Sequence, residues 1–205
     1  PESCGNPVRE SVVALAPPAE RMAGRQDRVR ILVTGGSQGA STLNRLLPEA
    51  MALLNGEPGF EIRHQAGRGG DSETGERYRD LGIEADVTEF IEDMAGAYGW
   101  ADVVVCRAGA LTVSEVAAAG LAAILVPFPH AVDDHQTRNA EYLVEAGAAV
   151  LLPESRLTAR SLADALKKMT ASRQNLLRMA EKARARSVPD SAARVAGLCL
   201  EYLAP

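Results

Sequence analysis

The chain has 205 residues, of which 46% are hydrophobic, 24% are charged and 4% are aromatic, and its formal net charge is −5 at pH 7. So few aromatic side chains argue against a base-stacking surface, and the negative charge argues against binding to a nucleic-acid backbone. No apolar run approaches the roughly 20 residues that span a bilayer, and three widely spaced cysteines (Cys4, Cys106 and Cys199) predict reduced thiols in a cytosolic, soluble protein.

The first 28 residues are predicted to form an arm rather than the first element of a domain. They are rich in proline and contain one short helical pattern, at Glu10–Leu15. Because the chain starts with Pro1 and not with an initiator methionine, we expect a fragment of a longer protein. We therefore assign residues 1–28 to an interdomain linker and residues 29–205 to one folded domain.

From residue 29 onward, short apolar strands alternate with helices, which predicts a parallel sheet covered by helices on both faces. The strands are predicted at 29–34, 60–64, 86–90, 102–106, 122–126 and 148–152. The helices between them are predicted at 39–54, 91–98, 111–119 and 134–146, and a helical tail follows at 158–170, 173–186 and 190–203. The sequence thus predicts a doubly wound, Rossmann-like α/β domain with C-terminal helices.

The first candidate loop lies at the carboxyl end of the first strand, the edge where ligands bind in sheets of this kind. Its sequence is Thr34-Gly35-Gly36-Ser37-Gln38-Gly39-Ala40. Glycines here let backbone N–H groups approach an anion at the start of the next helix, and Ser37 adds a hydroxyl. The loop predicts a phosphate-binding turn, although glycines also occur in such turns simply to let a helix and a strand pack closely.

Two other enzyme motifs fit the same loop. Gly35-x-Ser37-x-Gly39 matches the nucleophile elbow of serine hydrolases, with His130 or His135 as the base, but no upstream strand is present to supply the oxyanion loop. We keep this hydrolase as the alternative function. The loop also resembles the cofactor turn of short-chain dehydrogenases, but the chain has no Tyr-x-x-x-Lys pair, and its second strand ends in His64-Gln65, without the acid that binds an adenosine ribose.

The second candidate loop opens the helix after the fourth strand, within Cys106–Glu115. Small residues at 108–110 leave the backbone open, and Thr112 and Ser114 offer hydroxyls in the first helical turn. Glu115 lies about one turn into the helix, where a carboxylate can accept hydrogen bonds from both hydroxyls of a ribose. A favourable acid near a helix start would explain Glu115 by itself. Two anion-receptive helix starts on one sheet edge, however, favour a diphosphate with a sugar on each side.

The third candidate loop follows the fifth strand and leads into a helix that contains Gln136 and Asn139. These amides are three residues apart and share a helix face, so we expect both to reach one ligand, such as the hydroxyls of a pyranose. His130 and His135 lack convincing metal-ligand spacing, and the chain has no Asp-x-Asp. We therefore predict neither a metal nor another cofactor.

Together these segments resemble the MurG family, the two-domain GT-B transferases that add N-acetylglucosamine to the undecaprenyl-pyrophosphoryl-muramoyl-pentapeptide precursor. The resemblance runs in order along essentially the whole chain, which makes it more specific than any single motif. The segments that carry it are Gly5–Arg9, Gly35–Gly39, Thr88–Met94, Arg107–Glu115 and Asp134–Ala140.

The resemblance implies a role for each matching position. The backbone of Ile91 would meet the uracil, Ser37 and the 110–113 turn would hold the diphosphate, and Glu115 would bind the ribose. Gln136 and Asn139 would contact the sugar, and Arg9 would stand at the cleft from the arm. The substrate-binding residues expected on this basis are Arg9, Ser37, Ile91, Ala110, Leu111, Thr112, Val113, Ser114, Glu115, Gln136 and Asn139.

The resemblance also implies a division of labour. In this family the amino-terminal domain is thought to bind the lipid-linked muramoyl-pentapeptide acceptor and the membrane, and no such segment is recognisable here. We therefore expect the chain to bind UDP-N-acetylglucosamine as the donor half of an inverting, metal-independent transferase that makes lipid II from lipid I. The whole enzyme would act on the inner face of the bacterial cytoplasmic membrane. The catalytic base is expected outside these residues, so the chain alone would transfer no sugar.

Overall fold

The computed structural model describes residues 4–25, 28–36, 39–54, 59–129, 131 and 134–203. Two short helices come first, α1 (Glu10–Val13) and α2 (Pro18–Met22). There follow β1 (Val29–Thr34), α3 (Ser41–Leu53), β2 (Phe60–Gln65), α4 (Asp71–Asp80), β3 (Asp86–Thr88), α5 (Met94–Trp100), β4 (Val103–Cys106), α6 (Ala110–Ala119), β5 (Ala122–Leu125), α7 (His135–Val144), β6 (Ala149–Leu151), α8 (Ala159–Met169), α9 (Arg173–Ala185) and α10 (Ser191–Leu203). Within the described residues, no helix has the length and apolar character needed to cross a membrane.

Six parallel strands form one sheet in the described part of the chain, in the order β3-β2-β1-β4-β5-β6. The predicted Rossmann-like α/β fold is therefore confirmed. The strand order reverses between β1 and β4, and the register pairs Thr34 at the end of β1 with both Gln65 and Cys106. The carboxyl ends of the three strands are therefore level, and the loops after β1 and β4 lie side by side at the position where ligands bind in such sheets.

The central strands are buried on both faces, which is why their sequences are continuously apolar. Side chains of β1 alternate between two cores. Ile31 and Val33 pack on the side of α3 and α8, whereas Leu32 packs on the side of α6 and α7. The sheet is thus a rigid platform for the loops at its carboxyl edge.

Some elements differ from the sequence-based expectation. Helix α4 has no predicted counterpart, because Thr74 and Tyr78 are its only buried residues and the helix therefore shows no apolar periodicity. The third strand ends at Thr88, and α5 begins at Met94 and not at residue 91. Asp93 sets that start, because its carboxylate accepts a hydrogen bond from the N–H of Gly96 at 2.8 Å.

Of the segment predicted as a linker, residues 1–28, the described part packs against the domain. Arg21 donates hydrogen bonds to backbone carbonyls at the carboxyl ends of α5 and α6. Arg25 pairs with the fully buried carboxylate of Asp102 at 2.8 Å, and Arg173 of α9 pairs with the same carboxylate at 2.5 Å. The arm is therefore fastened to the domain by charged groups that would be costly to bury alone.

Candidate functional site

A cavity of about 410 Å³ opens at the carboxyl edge of the sheet, over the ends of β1 and β4. The loops after both strands contribute to its wall, as the topology requires. Five of the predicted site residues line it: Arg9, Ile91, Thr112, Glu115 and Gln136. Residues from the arm, from the loop before α5, from α6 and from α7 therefore converge on one space.

The glycine loop after β1 forms one side of this cavity. Gly39 has a φ of +72°, and a Cβ at this position would lie 2.3 Å from the carbonyl oxygen of Ala66. Gly36 has a φ of +79°, and its carbonyl accepts a hydrogen bond from the N–H of Gly39 at 2.9 Å. The loop is thus a tight turn that brings α3 against β2, and a side chain at residue 39 would not fit. Ser37, the predicted phosphate ligand, lies outside the described residues, as does Gln38.

The start of α6 supplies the groups best suited to an anion. Gly109 is extended at the N-cap, and its carbonyl accepts the N–H of Val113 at 2.9 Å. The N–H groups of Ala110, Leu111 and Thr112 have neither a backbone acceptor nor a capping side chain in the described ranges. Of the predicted 110–113 turn, three amides are therefore free for a ligand, while Val113 is committed to the helix and its side chain is buried.

Glu115 is held by a partner on each carboxylate oxygen. Arg9 donates to Oε1 from Nε at 2.9 Å and from Nη2 at 2.7 Å. The hydroxyl of Tyr98 donates to Oε2 at 3.1 Å. Burial, reinforced by the negative charge of Glu115, raises the pKa of Tyr98 well above its ordinary value, so the phenol is a hydrogen-bond donor at neutral pH. The carboxylate is thus held in place by two side chains, and Glu115 lines the cavity.

Gln136 ties the third loop to the second. Its side-chain oxygen accepts hydrogen bonds from the N–H of Ala108 at 3.2 Å and of Phe128 at 3.0 Å. No acceptor for its amide nitrogen lies among the residues that the structure describes. Since the oxygen is occupied, Gln136 can offer a ligand hydrogen-bond donors only.

Ser114 and Asn139 do not line this cavity. Both line a neighbouring one, of about 330 Å³, on the other side of the first turn of α6. The Ser114 hydroxyl donates to the carbonyl of Ala110 at 2.9 Å, and the Asn139 amide donates to the carbonyl of Ala108 at 3.1 Å. Gln136 and Asn139 therefore both bond to the backbone of Ala108 but line different cavities.

Arg107 and Phe128 also line the cavity, although the sequence assigned them no role. Arg107 forms an ion pair with Glu154, donates to the carbonyls of Val126 and Pro127, and lies over the Phe128 ring with its guanidinium carbon 5.4 Å from the ring centroid. Its position directly after β4, at the switch point, was a signal that could have drawn attention to it. Its bonds hold the loop after β5 in place.

Beneath the site, His64 of β2 is buried in a polar cluster. Its Nδ1 lies 3.0 Å from the Tyr78 hydroxyl and its Nε2 lies 3.1 Å from the side-chain oxygen of Asn44. The Asn44 amide in turn donates to the carbonyl of Ala66 at 2.9 Å. Burial lowers the pKa of His64 to about 3, so the ring is neutral. The cluster fastens α3 and α4 to β2 below the glycine loop.

The described residues also bear on a metal site, which the sequence does not predict, and on the serine hydrolase alternative. Over the described ranges, no group of three or more His, Cys, Asp and Glu side chains is arranged to hold a metal ion. For the serine hydrolase alternative, Ser37 and His130 lie outside the described residues. His135 is described and does not line the cavity.

Comparison with known proteins identifies the type of domain. The family model described as "Glycosyltransferase family 28 C-terminal domain" matches residues 30–195. A curated relative from Marinobacter nauticus is 52% identical over 197 residues, which is 96% of this chain and 54% of the relative. That relative is named UDP-N-acetylglucosamine--N-acetylmuramyl-(pentapeptide) pyrophosphoryl-undecaprenol N-acetylglucosamine transferase. The chain thus spans about half the length of the curated relatives it matches.

Solved structures agree with this result. The crystal structure of MurG from Acinetobacter baumannii superposes with a TM-score of 0.86 at 40% identity, over 93% of this chain and 55% of that one. CalG4, the calicheamicin glycosyltransferase, has a TM-score of 0.59 at 22% identity, over 89% of this chain and 46% of that one, and it shares the fold. The resemblance to the MurG family is confirmed, and none of these comparisons supports a serine hydrolase.

Proposed function

This chain belongs to the family described as glycosyltransferase family 28 C-terminal domain, and from that premise we propose that it binds UDP-N-acetylglucosamine as the donor half of a glycosyltransferase. One observation carries the proposal. The start of α6, with its three free backbone N–H groups, lines the cavity at the switch point of the sheet through Gly109 and Thr112, beside the carboxylate of Glu115 and the donor amide of Gln136. Such a site matches a diphosphate flanked by two sugars.

Each part of the ligand has a matching group. The diphosphate is assigned to the N–H groups of residues 110–112 and to the glycine loop, where helix dipoles and amides bind anions without a metal. The ribose is assigned to Glu115. The uracil is assigned to the half-buried Ile91, whose N–H and C=O have no backbone hydrogen-bond partner in the described residues. The acetylated sugar then extends toward the Gln136 amide, which lines the same cavity.

The reaction is proposed from the relatives. Their printed name gives an N-acetylmuramyl-(pentapeptide) pyrophosphoryl-undecaprenol as the acceptor. We assign the same acceptor to the whole protein, as an inverting, metal-independent transferase that makes lipid II from lipid I at the inner face of the bacterial cytoplasmic membrane. The acceptor site, the membrane contact and the catalytic base are assigned to the part of the relatives that lies outside the matched half. The present chain contributes donor binding and orientation.

Calorimetric titration of the 205-residue chain tests this proposal. UDP and UDP-N-acetylglucosamine should bind with a Kd of about 0.1–1 mM, because half of the cleft is open to water. EDTA should leave both affinities unchanged, since backbone amides hold the phosphates. A serine-reactive phosphonate should not label the chain. Stoichiometric phosphonate labelling without nucleotide binding would favour the hydrolase, and sugar transfer by the chain alone would show that donor binding is not its whole role.

A further inference from the structure

Tyr98 places a hydroxyl in the wall of the nucleotide cavity. The residue belongs to α5 and is 1% exposed, with its ring packed in the core on the α6 side of the sheet. The hydroxyl nevertheless reaches the cavity and donates to Oε2 of Glu115 at 3.1 Å. A buried phenol must have a hydrogen-bond partner, and here that partner is the carboxylate assigned to the ribose.

The two partners of Glu115 differ in how firmly they are held. The side chain of Arg9 is 54% exposed and stands on the arm at the rim of the cavity. The Arg9 end of the ion pair is open to solvent although the Glu115 side chain is only 15% exposed, so Arg9 is the more readily exchanged partner. Tyr98 is enclosed by the core, and its ring cannot turn away without disrupting the packing of α5. Oε2 therefore has a permanent partner and Oε1 has a replaceable one.

The geometry also shows what a ribose would have to displace. Both contacts from Arg9 are made to Oε1, whereas Tyr98 occupies Oε2 from the core side. A ribose that binds Oε1 meets the more exposed of the two partners, Arg9. It can take the place of Arg9 without any movement of Glu115, because Oε2 stays anchored.

We propose that Tyr98 is a positioning residue for nucleotide recognition: it anchors Glu115 from the core so that Oε1 faces the ribose hydroxyls, while Arg9 is the partner that gives way. This inference rests on the proposed function of the cavity. It adds a residue that does not touch the nucleotide and acts through Glu115. Loss of the Tyr98 hydroxyl should therefore lower the affinity only for ligands that have ribose hydroxyls.

The substitution Tyr98→Phe tests this, because it removes one oxygen and keeps the ring. The Kd for UDP should rise about 5- to 20-fold, which is less than the direct loss of a hydrogen bond to a charged group would cause, because Tyr98 acts through Glu115. The Kd for 2′,3′-dideoxyuridine diphosphate should change by less than about twofold, because that ligand does not use Glu115. Tyr142→Phe is the matched control. It also removes a phenol that is hydrogen-bonded, to the carbonyl of Arg186 at 2.6 Å, but one that does not line this cavity. It should leave both Kd values unchanged.

If Tyr98→Phe lowers the affinity for UDP and for 2′,3′-dideoxyuridine diphosphate equally, or does not lower the affinity for UDP, the proposed role of Tyr98 is wrong. Wild-type chain that binds UDP in the same titrations keeps the proposed function intact in either case. Absence of UDP binding in the wild type would instead remove the proposed function itself.

A measurement on the wild type covers the case in which Tyr98→Phe does not fold. Saturation with UDP should shift the ¹⁵Nε resonance of Arg9, which loses its carboxylate partner. The ¹³Cζ resonance of Tyr98 should stay nearly constant, since its hydrogen bond persists. A shift at Tyr98 without one at Arg9, or no shift at either residue, would contradict the proposal.

Discussion

The side-chain oxygen of Gln136 accepts a hydrogen bond from the backbone N–H of Ala108, 28 positions earlier in the chain, at 3.2 Å. The same oxygen accepts the N–H of Phe128. One amide therefore joins the loops after β4 and β5 at the edge of the cavity. Because the oxygen is committed to the backbone, any part that Gln136 plays in reading the sugar falls to its NH₂ group.

This arrangement predicts the behaviour of Gln136→Glu. The new carboxylate keeps both acceptor bonds to the loops but has no donor for the sugar. Its added charge should weaken UDP and UDP-N-acetylglucosamine alike, whereas the lost donor should weaken only the sugar nucleotide. We therefore expect the binding free energy of UDP-N-acetylglucosamine to become less favourable, relative to that of UDP, by about 1–2 kcal/mol. Competition calorimetry measures this difference.

Gln136→Ala is the comparison variant, because it removes the acceptor as well. It should weaken UDP itself, since the turn before α6 loses its tie to α7. In both variants, the affinity for UDP-N-acetylglucosamine should exceed that for UDP-N-acetylgalactosamine by a smaller factor than in the wild type. An unchanged ratio of UDP to UDP-N-acetylglucosamine in Gln136→Glu would show that the sugar is recognised elsewhere.

Glu115→Ala should weaken UDP binding by about 1.5–3 kcal/mol, the scale for hydrogen bonds to a charged group. The loss should nearly vanish for 2′,3′-dideoxyuridine diphosphate, which has no hydroxyl for the carboxylate. Glu84→Ala is the control, since that side chain is 93% exposed and remote from the cavity. If Glu115→Ala weakens the binding of both nucleotides by the same free energy, the carboxylate of Glu115 does not bind the ribose.

The two positive-φ glycines of the first loop should differ in their tolerance of alanine. Gly36→Ala meets only backbone strain, of about 1–2 kcal/mol, because no described atom lies within 4 Å of its new Cβ. Gly39→Ala adds a clash with the carbonyl of Ala66, 2.3 Å away, and should destabilise the fold by more than about 2 kcal/mol. Urea unfolding of the two variants compares them. Equal losses would mean that α3 can move away from β2 at little cost.

Acid should destabilise the protein through His64. The folded-state pKa of about 3 lies below the unfolded value of 6.5, so the unfolded chain takes up the proton first. The effect is absent above pH 6.5 and grows as the pH falls toward 3, reaching about 2 kcal/mol at pH 5. His64→Gln should be less stable at pH 7, yet lose about 2 kcal/mol less than wild type between pH 7 and pH 5 in urea unfolding. Parallel curves for the two proteins would contradict a buried, neutral His64.

The fold could be predicted where burial leaves a clear pattern in the sequence. The strands β4 and β5 are fully buried and read as continuous apolar runs, and β1 is buried at every position except Arg30. Helix α4 could not be predicted, because Thr74 and Tyr78 are its only buried residues and it is otherwise polar. The arm was equally hidden, since arginines hold it to backbone carbonyls, and backbone carbonyls leave no trace in a sequence.

The location of the site followed from strand order, but its hydrogen bonds did not. Gln136 and Asn139 share a helix face, yet one binds the N–H of Ala108 and the other its C=O, and they line different cavities. The pairing of Glu115 with Arg9 spans 106 positions and depends on how the arm packs. Nothing in the sequence singles out Tyr98, because its ring packs in the core as any buried aromatic ring does. Only its hydroxyl reaches the cavity.

The arginines of the arm also bear on where this unit begins. The family match starts at residue 30, but Arg21 and Arg25 place their guanidinium groups over the carboxyl ends of α5 and α6, where helix carbonyls carry partial negative charge. A shortened chain that begins at residue 30 would lack Arg21 and Arg25. Those carbonyls would then have no donors from the arm, and Asp102 would lose one of its two arginine partners. The unit that can be exchanged between related transferases is therefore longer than the unit that sequence comparison outlines, and a chimera that joins two parents at residue 30 would divide it.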